Sequence, residues 1–253
     1  MQRRVLITAG ASGIGREIAR AFAATGAAVF VCDIDAQALD TLAREIAGLG
    51  TAVCDLSERP DIERMMRDAV VTLGGLDVLV NNAGIAGPTA CVEQTNPDDW
   101  EKVVQINLNG AFNVTRLAIP HLKKSSAGVI LNMSSFAGRF GYPNRCAYST
   151  TKWGIIGFTK TLSIELGEFG IRANAILPGP VEGPRIQKVF EGRAQLSGKS
   201  VQEEIDAAKS SQSLKRLVDP RDIAALAVFL ASDAAKSISG QMLPIDNDAQ
   251  KAS

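Results

Sequence analysis

The sequence predicts a doubly wound α/β fold, in which helices cover both faces of a mostly parallel sheet. Short apolar, β-branched runs alternate with longer amphipathic segments along the chain, which is the pattern of parallel strands joined by helices. About seven such runs occur, and one sheet of this kind can hold them. No Pro-, Gly- or Ser-rich linker and no internal repeat divides the 253 residues. We therefore interpret residues 1–253 as a single domain.

The elements follow one another in a regular order until late in the chain. Helical patterns such as Gly13–Thr25 and Ile62–Leu73 separate the apolar runs, but the interval from Gly179 to Val218 contains no convincing strand. A strandless stretch of that length is either a lid over a binding site or an oligomer contact, and we favour a substrate lid at about residues 180–217. The predicted strands are Val5–Thr8, Ala28–Asp33, Thr51–Cys54, Val78–Asn81, Val129–Met133, Arg172–Leu177 and Gln241–Pro244.

Composition excludes several classes of function. Lys+Arg and Asp+Glu number 27 each and form no basic run, which argues against nucleic-acid binding. The single histidine, His121, excludes multi-histidine metal sites and disfavours a Ser-His-Asp hydrolase. The four cysteines form no C-x-x-C pair, and we predict reduced thiols and no metal. No apolar run approaches the ~20 residues of a membrane span, so we expect a cytoplasmic protein without a signal peptide.

A glycine-rich turn joins the first predicted strand to the first helix. Residues 8–15 read T-A-G-A-S-G-I-G, and glycines at such a turn let the backbone approach a pyrophosphate that rests on the helix N-terminus. The spacing is G-x-x-G-x-G rather than the common G-x-G-x-x-G, so an ordinary glycine-rich turn is the alternative. The residues expected to contact a dinucleotide here are Gly10, Ser12, Gly13, Ile14 and Gly15.

An acidic residue ends the second predicted strand. Asp33 lies ~20 residues beyond the glycines, where a carboxylate can accept hydrogen bonds from an adenosine ribose. It would repel a 2′-phosphate, and neither Ile34 nor Asp35 can neutralise one. The cofactor is therefore predicted to be NAD rather than NADP, with helix capping as the alternative role for Asp33.

A tyrosine and a lysine four residues apart form a third pattern. Tyr148 and Lys152 would share one face of a helix, and a nearby cation lowers a tyrosine pKa from its usual value of ~10. Ser134 and Ser135 close the preceding strand, so a hydroxyl can lie beside the phenol at the carboxyl end of the sheet. This arrangement indicates a general acid/base.

Taken together, these residues resemble the short-chain dehydrogenases/reductases over essentially the whole chain. The resemblance implies a Rossmann-like sheet and an oxidoreductase that interconverts a secondary alcohol and its ketone by hydride transfer with NAD(H). It also implies a small-molecule substrate and a homotetramer, with a dimer as the alternative. The matching pieces are Thr8 to Gly15, Asp55, Asn81 to Gly84, Asn107, Ser135, Tyr148, Lys152 and Pro178-Gly179.

The resemblance assigns roles to the catalytic residues. Tyr148 would be the general acid/base, and Lys152 would lower its pKa and hold the nicotinamide ribose. Ser135 would orient the substrate oxygen, whereas Ser134 would have no catalytic part. Asn107 would anchor a water chain from Lys152.

The resemblance also implies a set of cofactor contacts. Asp55 and Leu56 would line the adenine pocket. The remaining expected contacts are Asn82, Ala83 and Gly84 beside a ribose, and Pro178, Gly179 and Val181 beside the nicotinamide.

Three positions depart from the family pattern. Ala9 replaces the first glycine after Thr8, which could alter the turn. Gly183 replaces a threonine that touches the carboxamide. Asn247 stands where the family often has glycine, in a segment linked to subunit packing.

Two other functions share these motifs. An NADPH-dependent 3-oxoacyl-type reductase would use the same catalytic set, but Asp33 and the lack of a strongly basic docking face disfavour it. A non-catalytic NAD(H)-binding protein would not need Asn107, Ser135, Tyr148 and Lys152 together.

The substrate is predicted only through a group of basic residues. One arginine could reach the pocket and pair with an anionic substrate group, and Arg185 is our first choice because it follows Pro178-Gly179 closely. The alternative is a solvated helical face, balanced by Glu182, Glu191, Glu203 and Glu204. The basic residues concerned are Arg139, Arg145, Arg185, Lys188, Arg193 and Lys199.

Overall fold

The computed structural model describes residues 2–251 of the chain, and within them seven strands form one parallel sheet. The strand order is β3-β2-β1-β4-β5-β6-β7. Strands β2 and β3 are added on one side of β1, and strands β4 to β7 on the other side. Open α/β sheets bind ligands at such a switch point, which here lies between β1 and β4. All the predicted strands are confirmed, with small shifts at their ends. The strands are β1 Arg4–Thr8, β2 Ala28–Asp33, β3 Gly50–Val53, β4 Val78–Asn81, β5 Val129–Met133, β6 Arg172–Pro178 and β7 Met242–Ile245.

Helices cover both faces of the sheet. Alternate residues of β1 enter opposite cores: Val5 and Ile7 pack in one cluster and Leu6 in the other. The inner strands β1, β2, β4, β5 and β6 read as largely apolar runs because both of their faces are buried. The edge strands β3 and β7 alternate between exposed and partly buried residues. The α-helices are α1 Gly13–Ala24, α2 Ala36–Glu45, α3 Arg59–Leu73, α4 Pro97–Val104, α5 Ala111–Leu122, α6 Cys146–Glu165, α7 Pro184–Ser197, α8 Val201–Ser210 and α9 Pro220–Ala231.

The interval from Gly179 to Val218 forms a helical arm at the carboxyl end of the sheet. It holds α7 and α8, and only an isolated bridge between Val181 and Val218 pairs its ends. A Cβ added to Gly192 on α7 would lie 3.0 Å from Thr89 Oγ1, so α7 packs against the loop that follows β4. This contact supports the use of the arm as a substrate lid, which stays a prediction.

Between residues 2 and 251, no helix is long and apolar enough to cross a bilayer. In the same range no three His, Cys, Asp or Glu side chains cluster as they would around a metal ion.

Candidate active site

The glycine-rich turn keeps its shape despite Ala9. Ala9 adopts φ +49°, a left-handed conformation that costs an L-residue about 1–2 kcal/mol. The Asn82 Nδ2 group holds the turn by donating to Thr8 O at 3.1 Å and Ala9 O at 2.9 Å. A Cβ on Gly15 would lie 2.4 Å from Ala9 O, so only glycine fits there.

The N-terminus of α1 has the features of an anion site. Its N-cap residue, Ser12, makes no side-chain capping bond, and the first turn has no acidic residue. A Cβ on Gly13 would meet nothing within 4 Å, so the space in front of these amides is open. Free helix N-terminal amides and a glycine cradle fit the pyrophosphate of a dinucleotide.

The carboxyl ends of β2 and β3 each present a carboxylate to the same region. Asp33 accepts from the Ala11 amide at 3.0 Å and the Asp35 amide at 3.2 Å. Asp35, not Asp33, caps α2 by accepting from the Ala38 amide at 3.0 Å. The capping alternative for Asp33 is therefore not what the structure shows.

The predicted adenine-pocket residues follow β3 directly. Asp55 accepts from the amide and hydroxyl of Ser57 at 2.8 and 2.7 Å, and Leu56 is buried. Leu56 also packs against Gly110, whose added Cβ would lie 3.2 Å from Leu56 Cβ.

Asn107 lies in a π-helical turn, Gln105–Gly110, between α4 and α5. Its Oδ1 accepts from the Ile85 amide at 2.7 Å, and its Nδ2 donates to Ile85 O at 3.0 Å and Thr151 Oγ1 at 3.2 Å. A Cβ on Gly84 would lie 3.2 Å from Asn107 Oδ1 and 3.3 Å from Lys152 Nζ. Asn107 thus fixes the loop after β4 beside Lys152. Such turns are common at functional sites, but neither the turn nor Thr151 was predicted.

Tyr148 and Lys152 lie on one face of α6, as predicted. The Lys152 Nζ atom is 5.6 Å from the centre of the Tyr148 ring and donates to Met133 O, the last residue of β5, at 2.9 Å. Lys152 is buried, whereas Tyr148 is partly exposed. Part of the Tyr148 side chain is therefore exposed near the carboxyl end of the sheet.

The two serines after β5 have different surroundings. Ser135 is the N-cap residue of a 3₁₀ turn, Phe136–Gly138, and accepts from the Ala137 amide at 3.1 Å. Ser134 is buried and donates to Lys152 O at 2.7 Å. Its hydroxyl is used in a structural bond, consistent with the expectation that it has no catalytic part.

Opposing effects set the pKa of Tyr148. Burial raises it, but the positive charges of Lys152 and Arg185 and a hydrogen bond with Ser135 lower it, so the pKa lies below its usual value. Burial also lowers the pKa of Lys152, partly offset by the phenol of Tyr148. A phenol with a depressed pKa beside a buried lysine can exchange a proton with a substrate.

The segment after β6 brings the remaining predicted contacts to this region. The Gly179 amide donates to Ile245 O at 3.0 Å, and a Cβ on Gly179 would lie 2.8 Å from Asp246 Cα. Pro178 is buried and Val181 is partly buried. Gly183 adopts φ +139°, so a threonine there would be strained.

Asn247 keeps the conformation that glycine favours. Its φ is +57°, and asparagine tolerates that region better than most residues. Its Nδ2 donates to Gln212 Oε1 at 3.2 Å and Arg216 O at 2.7 Å, which joins the chain after β7 to the helical arm.

Sequence comparison defines the class of protein. The family model described as enoyl-(acyl carrier protein) reductase matches residues 8–247. A D-beta-hydroxybutyrate dehydrogenase of Cupriavidus necator is 40% identical over 252 residues, covering 96% of each chain. The chain belongs to the short-chain dehydrogenase/reductase family, and it is an oxidoreductase of the alcohol/ketone type.

Two solved structures share the fold. An actinorhodin polyketide ketoreductase crystallised with NADPH has a TM-score of 0.93 and 32% identity, over 97% of this chain and 96% of that one. A 3-ketoacyl-(acyl-carrier-protein) reductase from Brucella melitensis complexed with NADH has a TM-score of 0.86 and 33% identity, over 97% of both chains. Proteins of this shape therefore bind either nicotinamide cofactor.

Proposed function

We propose that the protein interconverts a secondary alcohol and its ketone with NAD(H), and that Tyr148 is the general acid/base. The observation that carries this proposal is the placement of Tyr148 beside Lys152 and Ser135 at the carboxyl end of β5. Tyr148 is partly exposed there, and its pKa is below the usual value.

The proton steps follow from this arrangement. A bound nicotinamide supplies the hydride acceptor during alcohol oxidation and the hydride donor during ketone reduction. In oxidation the Tyr148 phenolate accepts the proton of the substrate hydroxyl, and in reduction the phenol donates a proton to the carbonyl oxygen. Ser135 holds that oxygen by a hydrogen bond, and Lys152 stabilises the phenolate by its charge.

Other residues position this group. Ser134 binds the backbone carbonyl of Lys152, and Lys152 binds that of Met133, so α6 is joined to the end of β5 at the reacting phenol. Asn107 orients the loop after β4. Its predicted water chain and the contacts of Lys152 with a ribose are part of the proposal.

NAD rather than NADP is proposed from the end of β2. Asp33 is fixed by two backbone amides, so its carboxylate cannot turn away from a 2′-phosphate without losing both bonds. Like charges at that position are repulsive. This observation favours the alcohol dehydrogenase over the NADPH-dependent 3-oxoacyl-type reductase. A homotetramer and a cytoplasmic location remain part of the proposal.

The acid/base role is tested by Tyr148→Phe, which removes one hydroxyl. We expect kcat with the preferred alcohol to fall by about 10²–10⁴-fold, the usual contribution of general acid/base catalysis. NADH affinity, measured by fluorescence titration, should stay nearly unchanged. Retention of more than about a tenth of the activity would exclude this role for Tyr148.

The same titration distinguishes the non-catalytic alternative. The wild-type protein is also assayed with hydroxy acids, polyols, sugars and steroid-like alcohols, and with the corresponding ketones. Binding of NADH without turnover of any of these compounds would contradict an enzymatic function.

A further inference from the structure

The phenols at the candidate active site are surrounded by cations. The guanidinium carbon of Arg145 is 5.6 Å from the centre of the Tyr148 ring, and that of Arg185 is 5.8 Å from it. The guanidinium carbon of Arg193 is 5.2 Å from the centre of the Tyr142 ring. The two rings pack edge to face, 6.5 Å apart. Three arginines therefore converge where the substrate must lie.

Arg145 is held in this position by neutral groups. It is only 4% exposed, and it donates to Thr89 Oγ1 at 3.1 Å and Ala86 O at 3.0 Å. Its Nε atom is buried and has no hydrogen-bond partner among the described residues. A buried guanidinium is costly unless a charge of opposite sign compensates it, and residues 2–251 place no carboxylate in an ion pair with it.

Arg185 and Arg193 come from α7, whereas Arg145 precedes α6. Arg193 donates to the Tyr142 hydroxyl and is partly buried, whereas Arg185 is exposed at the mouth of the site. α7 also packs on Thr89 through Gly192, and Thr89 is the residue that accepts from Arg145, so α7 lies next to the Arg145 side chain. The site is thus approached by cations from two separate elements.

The described part of the chain pairs no carboxylate with these arginines. Within residues 2–251, none of the three forms an ion pair. The buried carboxylate of Asp246 lies 3.9 Å from Arg139 instead. Glu191 on α7 accepts from Gln187 and is exposed. The solvated-face interpretation had Glu182, Glu191, Glu203 and Glu204 balance the basic residues, and within residues 2–251 none of these four carboxylates forms an ion pair with the three arginines.

We propose that Arg145, Arg185 and Arg193 bind an anionic group of the substrate, so that the enzyme acts on a small hydroxyalkyl carboxylate or sulfonate. This inference rests on the proposed function, because it assumes that the reacting carbon lies at Tyr148. A guanidinium offers paired N–H donors that match two oxygens of such an anion. The short distances from Arg145 and Arg185 to the Tyr148 ring require the anion and the reacting carbon to be a few bonds apart.

Matched substrate pairs test the proposal through turnover. Each pair has the same secondary alcohol, with and without a charge: β-hydroxybutyrate against its methyl ester, and a hydroxypropanesulfonate against the corresponding methyl sulfone. We expect kcat/KM with NAD to favour the anionic member of at least one pair by about 10-fold or more, as for a charge-assisted hydrogen bond. Equal or better turnover of both neutral members would overturn the anion site and leave the alcohol/ketone activity standing.

Arg185→Gln tests which residue provides that preference. The variant should lower kcat/KM for the favoured anion by about 10-fold or more relative to its neutral partner, because loss of the Arg185 charge near Tyr148 affects both substrates alike and cancels in that ratio. Lys188→Gln is the matched control, since it removes one exposed charge from the same helix. Arg185→Lys should keep part of the preference for the anion that Arg185→Gln loses, because lysine has the positive charge but not the paired N–H donors of a guanidinium. An anionic preference unchanged in Arg185→Gln would contradict the assignment.

A binding measurement separates this proposal from the proposed function. Methanesulfonate and its neutral counterpart, dimethyl sulfone, are titrated into the Tyr148→Phe protein by calorimetry at fixed ionic strength. Binding of methanesulfonate alone, weakened about 10-fold or more by Arg185→Gln and unchanged by Lys188→Gln, would support the anion site even if no alcohol were oxidised. Binding of neither compound, or of both equally, would overturn it.

Discussion

The sheet has an amino edge, where its strands begin, and a carboxyl edge, where they end. At the amino edge, Arg4 forms an ion pair with Asp77 at 2.8 Å, and Arg3 forms one with Asp233 at 2.7 Å. At the carboxyl edge, Arg145, Arg185 and Arg193 have no carboxylate partner in the part of the chain that the structure describes. The sequence is neutral overall, with 27 residues of each sign, so the difference is one of placement. Arg3 and Arg4 at the first edge are each paired with a carboxylate, whereas the three arginines at the second edge are not.

The charged groups at the two edges therefore have different effects, one on stability and the other on proton transfer. Burial of Asp77 raises its pKa, but hydrogen bonds from Arg4 and Ser125 outweigh it and hold the pKa at about 2. That shift stabilises the folded state. Around Tyr148, cationic side chains and a serine hydroxyl lower the pKa of a phenol. The lowered pKa is useful for proton transfer, and the positive charges of the cations stay uncompensated. Changes at one edge should thus alter stability, and changes at the other should alter selectivity and turnover.

Apart from the loss of Tyr148, the largest effect expected at the carboxyl edge is on the selectivity for NAD over NADP. Wild-type enzyme should prefer NAD over NADP by ~10²-fold or more in kcat/KM, because a charge clash at a binding site costs several kcal/mol. Asp33→Ser should narrow that ratio, measured by initial rates with each cofactor.

Asp35→Ser is the matched control for this change. Asp35 caps α2, and serine is also a good capping residue, so the ratio should stay at its wild-type value. Equal use of NAD and NADP by the wild type would contradict the role given to Asp33.

At the amino edge, Asp77→Asn should reduce stability without changing kcat or KM. The depressed pKa corresponds to about 2 kcal/mol of free energy of unfolding. This contribution is present in full above about pH 5 and is lost progressively as pH falls through about 4 toward 2, because the folded-state pKa lies below the unfolded one. Urea unfolding at a series of pH values from neutral downward measures it.

The control at this edge is Asp68→Asn, an exposed carboxylate on α3. It should change the free energy of unfolding by less than about 0.5 kcal/mol. A loss of kcat in Asp77→Asn at unchanged stability would contradict the division between the two edges.

The fold could be predicted from the sequence because its inner strands are buried on both faces. Runs such as Val78–Asn81 and Val129–Met133 are continuously buried, and the alternation of strands and helices then leaves few topologies. The strand ends moved by a residue or so, since hydrogen bonds rather than composition determine where pairing stops.

The candidate site could be predicted only in part. Tyr148 and Lys152 were found from spacing on a helix, and Arg185 from its place in the chain. The π-helical turn at Gln105–Gly110 could not be found, because it depends on the bonds of Asn107 to a distant loop. The left-handed backbone at Ala9 was likewise hidden, because it arises from tertiary contacts with Asn82.

The burial of Arg145 was the least predictable feature of the site. Arginine is almost never fully buried unless it is paired, and nothing in the sequence shows that Thr89 and Ala86 O will hold its guanidinium. The convergence of the three arginines could not be predicted either, because it depends on how the helical arm packs relative to α6.

The most direct test of the carboxyl edge is the titration of its phenols. The chain has two tyrosines, and the structure predicts opposite shifts. Burial raises the pKa of Tyr142 despite nearby Arg193 and Arg145, whereas the cations around Tyr148 overcome burial and lower its pKa. Near-ultraviolet difference absorbance against pH follows each tyrosinate separately when wild type is compared with Tyr148→Phe and Tyr142→Phe.

We predict a tyrosinate step below the usual pKa of ~10 in the wild type and in Tyr142→Phe, and its loss in Tyr148→Phe. Lys152→Met should move that step to higher pH, because Lys152 supplies the largest of the effects that lower the pKa. A step at or above pH ~10 assigned to Tyr148 would contradict the claim that uncompensated cations at this edge prepare the phenol for proton transfer.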